Sequence, residues 1–193
     1  MRSAELSRST VETSVEVKLL LDGSGLAEVA TGLGFLDHML TALARHASLD
    51  LVLTATGDLG VDDHHTVEDC AIVLGRALDE ALGDRAGITR FAHAYAPLDE
   101  SLARAVIDLS GRPWPEIDLG LRRETIGDVA AENLTHFLRT LAMEGRLALH
   151  VDVLRGDNDH HRAESAFKAT ALALRSAVAV SGGGIPSTKG VLG

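Results

Sequence analysis

Asp63-His64-His65-Thr66-Val67-Glu68 returns later in the chain as Asp159-His160-His161-Arg162-Ala163-Glu164, a shift of 96 residues. The echo runs past the motif: Ala71, Leu74, Leu78 and Leu82 map under the same shift onto Phe167, Thr170, Leu174 and Val178, and all but the Leu74–Thr170 pair stay apolar. Val67, Ala71, Leu74, Leu78 and Ala81 recur at the spacing of one helix face, and Phe167, Ala171, Leu174 and Val178 repeat it. Asp63 and Asp159 stand immediately before these runs, where N-caps are expected, so each histidine pair falls in the first turn of a helix.

Working outward, the segments upstream of each motif also match in order. Residues 11–21 and 26–31 read as strands around the Asp22–Gly25 turn, 35–47 as a helix and 49–56 as a strand leading into the first motif. The second half offers strands near 88–97, 102–109 and 114–119, a turn at Gly111-Arg112-Pro113, a helix near 126–144 and a strand at 147–153. Two similar α+β halves, residues 1–86 and 87–193, each a small sheet with two helices on one face, bury all four apolar helix faces in one integrated catalytic domain.

Composition narrows the function. At 193 residues and 46% hydrophobic content the chain can bury an ordinary core. Its formal net charge of -10 lacks the basic footprint that nucleic acid requires. The first residues hold no apolar core of signal-peptide length and no stretch is apolar for long enough to span a bilayer, so a cytoplasmic location and no membrane partner are expected. The single cysteine, Cys70, has apolar neighbours and reads as a small buried side chain.

Imidazole nitrogen and carboxylate oxygen together suit borderline divalent metals such as Mn, Fe, Co, Ni or Zn. His64 and His65 lie four and three residues before Glu68, on neighbouring parts of one helix face. Adjacent histidines diverge by about 100° around a helix, so a pair serves two ions more readily than one. His38 and His136 lie on the helices before the two motifs, at corresponding places. The candidate ligands are thus His38, His64, His65, Glu68, His136, His160, His161 and Glu164, with coordination positions left open for catalysis. His46, His93 and His150 have no partner in the repeat and read as surface or hydrogen-bonded histidines.

The run from Ser181 to Gly190, with Ser187 and Lys189, is either an anion-wrapping segment or a frayed glycine-rich tail. Arg90 and Arg112, each beside a strand or turn, could complete an anion pocket, although isolated arginines are commonly solvated. The rival functional readings are a dinuclear metal-dependent phosphoester hydrolase and a noncatalytic metal-binding protein.

Gly34-Phe35-Leu36-Asp37-His38-Met39-Leu40, Asp62–Asp69, Pro97-Leu98-Asp99-Glu100, Asp108–Pro113 and Gly156–Glu164 together resemble the signature blocks of the imidazoleglycerol-phosphate dehydratases of histidine biosynthesis, over Arg8 to Gly190. The resemblance implies an internally duplicated unit of a four-stranded sheet and two helices, of the kind found in domain 2 of ribosomal protein S5, with the helices packed between two sheets. It implies a homo-oligomer of 24 subunits built from trimers and two Mn2+ per active site, located between subunits, with other divalent transition metals as substitutes. The eight residues named above would be the metal ligands. Glu12 and Asp99 match acidic residues near the substrate, and Arg90, Arg112, Ser187 and Lys189 match phosphate-binding positions. Ala42 stands where relatives often carry Gln, and His93 where a different polar residue is expected. The implied reaction dehydrates imidazoleglycerol phosphate to imidazole acetol phosphate through a dimetal-bound imidazolate, with Glu164 first and Glu12 second as the general base.

Overall fold

The computed structural model describes residues 1–190 and 192. Strand β1 (Ser3–Ser9) turns into β2 (Thr13–Leu20), followed by β3 (Ala27–Ala30), helix α1 (Gly34–Ala47), β4 (Asp50–Gly57) and α2 (His64–Leu82). The second half repeats the order as β5 (Phe91–Leu98), β6 (Ser101–Asp108), β7 (Trp114–Asp118), α3 (Ala131–Glu144), β10 (Ala148–Arg155) and α4 (Asp159–Ala177). It inserts one short hairpin, β8 (Thr125–Ile126) and β9 (Val129–Ala130), before α3. The sheets have matching orders, β1-β2-β4-β3 and β5-β6-β10-β7. In each the third strand runs parallel to the strand after the helix, β3 with β4 and β7 with β10, and the remaining pairs are antiparallel.

Period-two patterning sets the face of each sheet. Thr13, Val15, Val17 and Leu19 are buried while Ser14, Glu16 and Lys18 face out, and Ser101, Ala103, Ala105 and Ile107 form the matching buried row of β6. Helices α1 and α2 cover the first sheet, and α3 and α4 the second. The helices then pair across the halves, α1 with α4 and α2 with α3, so all four lie between the two sheets. Phe137 of α3 and Phe167 of α4 are fully buried there, with ring centroids 5.7 Å apart. Where α2 meets the end of α3 the backbones come close: a Cβ on Gly75 would stand 2.7 Å from the Glu144 Cβ, so only glycine fits without a shift.

Three expectations need correction. The strand expected over 11–21 occupies only Thr13–Leu20, and a further strand, β1, lies before it. Only Ala4 of β1 is buried, so this edge strand carries almost no apolar signal. The helix expected from 126 begins at Ala131, because Gly127 takes a positive φ and turns the β8–β9 hairpin instead. The aspartates also act differently. Asp63 occupies an N-cap position, but its carboxylate accepts from the Ala130 N–H at 2.8 Å, and Asp62 accepts from His64 N–H. Asn158, not Asp159, caps α4, accepting from His160 N–H at 2.9 Å. Asp159 is buried within the first turn and accepts from the Arg122 and Arg123 N–H groups. Both motif aspartates therefore hold the same connection between β7 and α3. That connection in turn supplies Asp128, whose carboxylate accepts from the Gly34 and Phe35 N–H groups and caps α1.

Two measurements check this packing. Phe137→Ala removes a fully buried ring and is expected to cost about 3–5 kcal/mol, read as a lowered midpoint of thermal unfolding. Burial pushes the Cys70 thiol up to about 12, so a thiol-specific chromogenic reagent should leave the folded protein unlabelled and react once denaturant is added.

Candidate metal centres and anion pocket

The cross-half pairing of helices brings the motif residues into two matching clusters. Where α1 meets α4, His38 Nε2 and His160 Nε2 each lie 3.1 Å from Glu164 Oε2. Where α2 meets α3, His136 Nε2 lies 2.9 Å from Glu68 Oε1, and His64 Nε2 lies 4.0 Å from Glu68 Oε2. The His64 and His136 rings stack with centroids 5.0 Å apart. Each HHxxE block thus meets a histidine contributed by the other half. In both clusters the two ring nitrogens and the carboxylate oxygen lie within 4.8 Å of one another, a convergent nitrogen and oxygen donor set that fits a divalent transition ion.

The second histidine of each pair looks elsewhere, as helix geometry requires. His65 and His161 are set nearly edge-on to their neighbours, at 73° and 88°. His65 Nδ1 lies 3.0 Å from Asp58 Oδ2 and 3.9 Å from Glu12 Oε2. His161 Nδ1 lies 2.8 Å from Glu100 Oε2, and its Nε2 3.9 Å from Asp99 Oδ2. Donating a hydrogen bond to the Asp58 carboxylate raises the His65 pKa, and donating one to Glu100 raises the His161 pKa. Glu100 in turn is pulled down to about 2, by His161 first and the Asn158 N–H next. Such carboxylate partners fix the ring and its tautomer and leave the Nε2 lone pair of the neutral ring available to a metal ion.

Asp58 follows β4, whereas Glu12, Asp99 and Glu100 come from two hairpin tips of unequal length. Asp99 and Glu100 form a two-residue turn, with Asp99 at φ 46°, a left-handed conformation that aspartate tolerates. The β1–β2 tip is longer, and Thr10 Oγ1 organises it by accepting from the Glu12 and Thr13 N–H groups. Glu12 is exposed there.

Arg90, Arg112, Ser187 and Lys189 come together elsewhere. With Phe91, Pro186, Thr188 and Leu192 they line a cavity of about 570 Å³. The glycine-rich segment is not splayed: Ser181 N–H donates to Gly87 O, Gly87 N–H donates to Gly184 O, and Arg90 Nη1 donates to Pro186 O at 2.7 Å. Arg90 also binds Asp108 through Nε at 2.7 Å, so part of its charge is already answered within the chain. Ala42 is buried on α1, while His93 and His150 are exposed on the outer face of the second sheet.

A family model described as imidazoleglycerol-phosphate dehydratase matches residues 31–174. The chain belongs to this family. An imidazoleglycerol-phosphate dehydratase of Methanothermobacter thermautotrophicus is 56% identical over 192 residues, covering 100% of this chain and 98% of that protein. One from Phytophthora nicotianae is 58% identical over 193 residues, but the chain spans only 43% of that longer protein's length. The crystal structure of the Staphylococcus aureus imidazoleglycerol-phosphate dehydratase superposes with a TM-score of 0.84 at 36% identity, covering 92% of this chain and 99% of that one. The Pyrococcus furiosus structure gives 0.83 at 38% identity, covering 97% and 100%. Membership makes the chain a carbon–oxygen lyase with a duplicated α+β fold.

Four residues beside the two clusters were not singled out from the sequence: Asp58, Glu100, Asn133 and Lys168. Lys168 Nζ lies 2.6 Å from Glu164 Oε1, one helical turn on, which the spacing alone could have flagged. Buried Asn133 accepts from His64 Nδ1 at 3.0 Å through its Oδ1. No local pattern marks that contact, because the partners are 69 residues apart. Because a carboxylate favours the imidazolium, Glu100→Gln should bring the His161 pKa back down toward the ordinary imidazole value. An NMR titration of the ring protons in metal-free protein reads this, and an unmoved His161 would sever the pair from its assigned cause.

Proposed function

We propose that the chain dehydrates D-erythro-imidazoleglycerol phosphate to imidazole acetol phosphate, using two Mn2+ per active site held by His38, His64, His65, Glu68, His136, His160, His161 and Glu164. The observation that carries this reading is the pair of cross-half clusters, each of two imidazoles and one carboxylate, in a chain that gathers cationic and hydroxyl side chains in a separate cavity. A cytoplasmic setting belongs to the same reading. Among the described residues, no helix is long and apolar enough to cross a membrane.

The separation of the two regions bears on assembly. Arg90 N–H donates to Ala177 O at the far end of α4, whereas His160 and His161 stand at its beginning. Seventeen residues of helix span roughly 25 Å. A three-carbon chain cannot bridge that distance, so ring and phosphate of one substrate molecule meet residues of different subunits. His65 and His161, turned from their own clusters, are then free to complete those of neighbouring copies, which supports a closed homo-oligomer; 24 subunits built from trimers is the assembly that the resemblance implies.

Divalent cations held by these residues would supply Lewis acidity toward the imidazole ring, favouring loss of its proton so that the ring could donate electrons to the adjoining carbon. The chain's own groups do the rest. Arg90, Arg112, Ser187 and Lys189 hold the phosphate and so fix the carbon chain relative to the ring. A carboxylate takes the proton from the carbon next to the one that loses hydroxide; the hydroxide leaves as water with the proton the ring gave up, and the carboxylate's proton returns to the ring nitrogen. The enol so formed then becomes the ketone. Between the two candidates the geometry favours Glu12. Glu164 Oε2 lies 3.1 Å from both His38 Nε2 and His160 Nε2, which commits this carboxylate to the donor set; burial opposes its ionisation, but Lys168 and then His38 outweigh it and bring its pKa down to about 2. Glu12 stands exposed on its hairpin, with His65 Nδ1 3.9 Å away and, among the described residues, no side chain in hydrogen-bonding distance of its carboxylate. Asp99 holds the corresponding tip of the second half and contributes a charge beside His161.

The test is an assay with imidazoleglycerol phosphate and Mn2+, following the ketone. Release of inorganic phosphate instead would convert the reading to a phosphoester hydrolase. Glu12→Gln should lower kcat by about 10²–10⁴-fold with metal content unchanged, whereas Glu164→Gln should lose metal. Lys189→Ala should raise KM with metal retained. Chelation should abolish turnover and shrink the particle in light scattering, and activity that survives complete metal removal would end the metal reading.

A further inference from the structure

The two clusters are equivalent by topology but not by chemistry. At the place of Lys168, four residues after Glu164 on α4, α2 carries Ile72, four residues after Glu68. The ammonium of Lys168 therefore rests on one carboxylate only, 2.6 Å from Glu164 Oε1. Glu164 is also the more enclosed, its side chain 13% exposed against 37% for Glu68, so the lysine's charge is less screened there.

A second difference points the same way. His64 has its Nδ1 held at 3.0 Å by the Asn133 amide oxygen. Phe35 occupies the corresponding place on α1, packed edge-on to the His160 ring with centroids 5.1 Å apart. A ring that donates Nδ1–H to an oxygen is fixed in its tautomer and is the more basic ligand at Nε2. His160 has an apolar ring there instead.

We propose that the two clusters take up metal unequally: His64, Glu68 and His136 fill first, and His38, His160 and Glu164 fill second, because Lys168 competes with the cation for Glu164. The inference rests on the dimetal reading above and adds an order to it. Lys168 is here a positioning and charge-setting residue for the second centre: a cation drawn to Oε2 beside the two imidazoles meets the ammonium's charge across the same carboxylate, on Oε1. The second ion is then the one whose occupancy varies with supply.

The experiment is a titration of Mn2+ into the full chain stripped of metal, without substrate, read as free Mn2+ by electron paramagnetic resonance. The expected result is two classes, one ion per chain in each, with dissociation constants at least about tenfold apart. Lys168→Met should tighten the weak class about tenfold or more and leave the strong one in place, drawing the two together. Ile72→Lys, which places the same cation one turn after Glu68, should weaken the strong class. A wild-type chain that binds both ions in one class overturns the inference, as do two classes that Lys168→Met leaves unchanged. Should Ile72→Lys fail to fold, as circular dichroism would report, the Lys168→Met titration still decides. A chain that binds no Mn2+ at all overturns the metal reading itself, which is a different outcome from binding in a single class.

Discussion

Everything at the candidate site depends on helices pairing with the other half rather than with their own. A sheet covered by two helices leaves the outer sides of those helices apolar, and the cheapest way to bury them is against the equivalent pair of the second half. Once α1 lies on α4 and α2 on α3, each motif faces a histidine from the opposite repeat. Either half alone would hold a histidine pair and a carboxylate with one imidazole missing. The core and the donor sets are thus consequences of the same contact, and a loss of helix packing is also a loss of ligand geometry.

Much of this was legible in the chain. The apolar run Val67, Ala71, Leu74, Leu78 and Ala81 is buried throughout, so its periodicity reported a real helix face. The repeat announced two equivalent units, and the divergence of adjacent histidines announced that His64 and His65 would serve different places. The resemblance supplied Glu12, Arg90 and Arg112, which spacing could not reach. What stayed hidden shares one cause: the decisive partner is far away in sequence. Asp63 looks like a cap until Ala130 is brought to it. Asn133 looks like any helical amide until His64 arrives. The strand Ser3–Ser9 is polar because it is an edge with little to bury, so only its pairing with β2 defines it.

The connection from Leu119 to Ala130 is where the second half departs most from the first. Its backbone N–H groups are taken by Asp159 at one end and Asp63 at the other, and its Asp128 caps the helix that carries His38. One segment therefore touches the starts of three helices that bear candidate ligands, α1, α2 and α4. Backbone amides that would otherwise be unsatisfied near a charged site are answered by carboxylates, of which Asp159 is buried, which ties the aim of the histidines to the folding of a stretch that carries none of them.

The unequal hairpin tips carry a lesson about ancestry. A half-length forebear that paired with itself would have owned identical tips and identical ion cradles, and any change useful in one would have been imposed on the other. Joining the copies into a single chain lifted that obligation. One tip could then lengthen and present Glu12 while its twin stayed short and pinned His161 through Glu100, so division of labour became open to point mutation where symmetry had forbidden it.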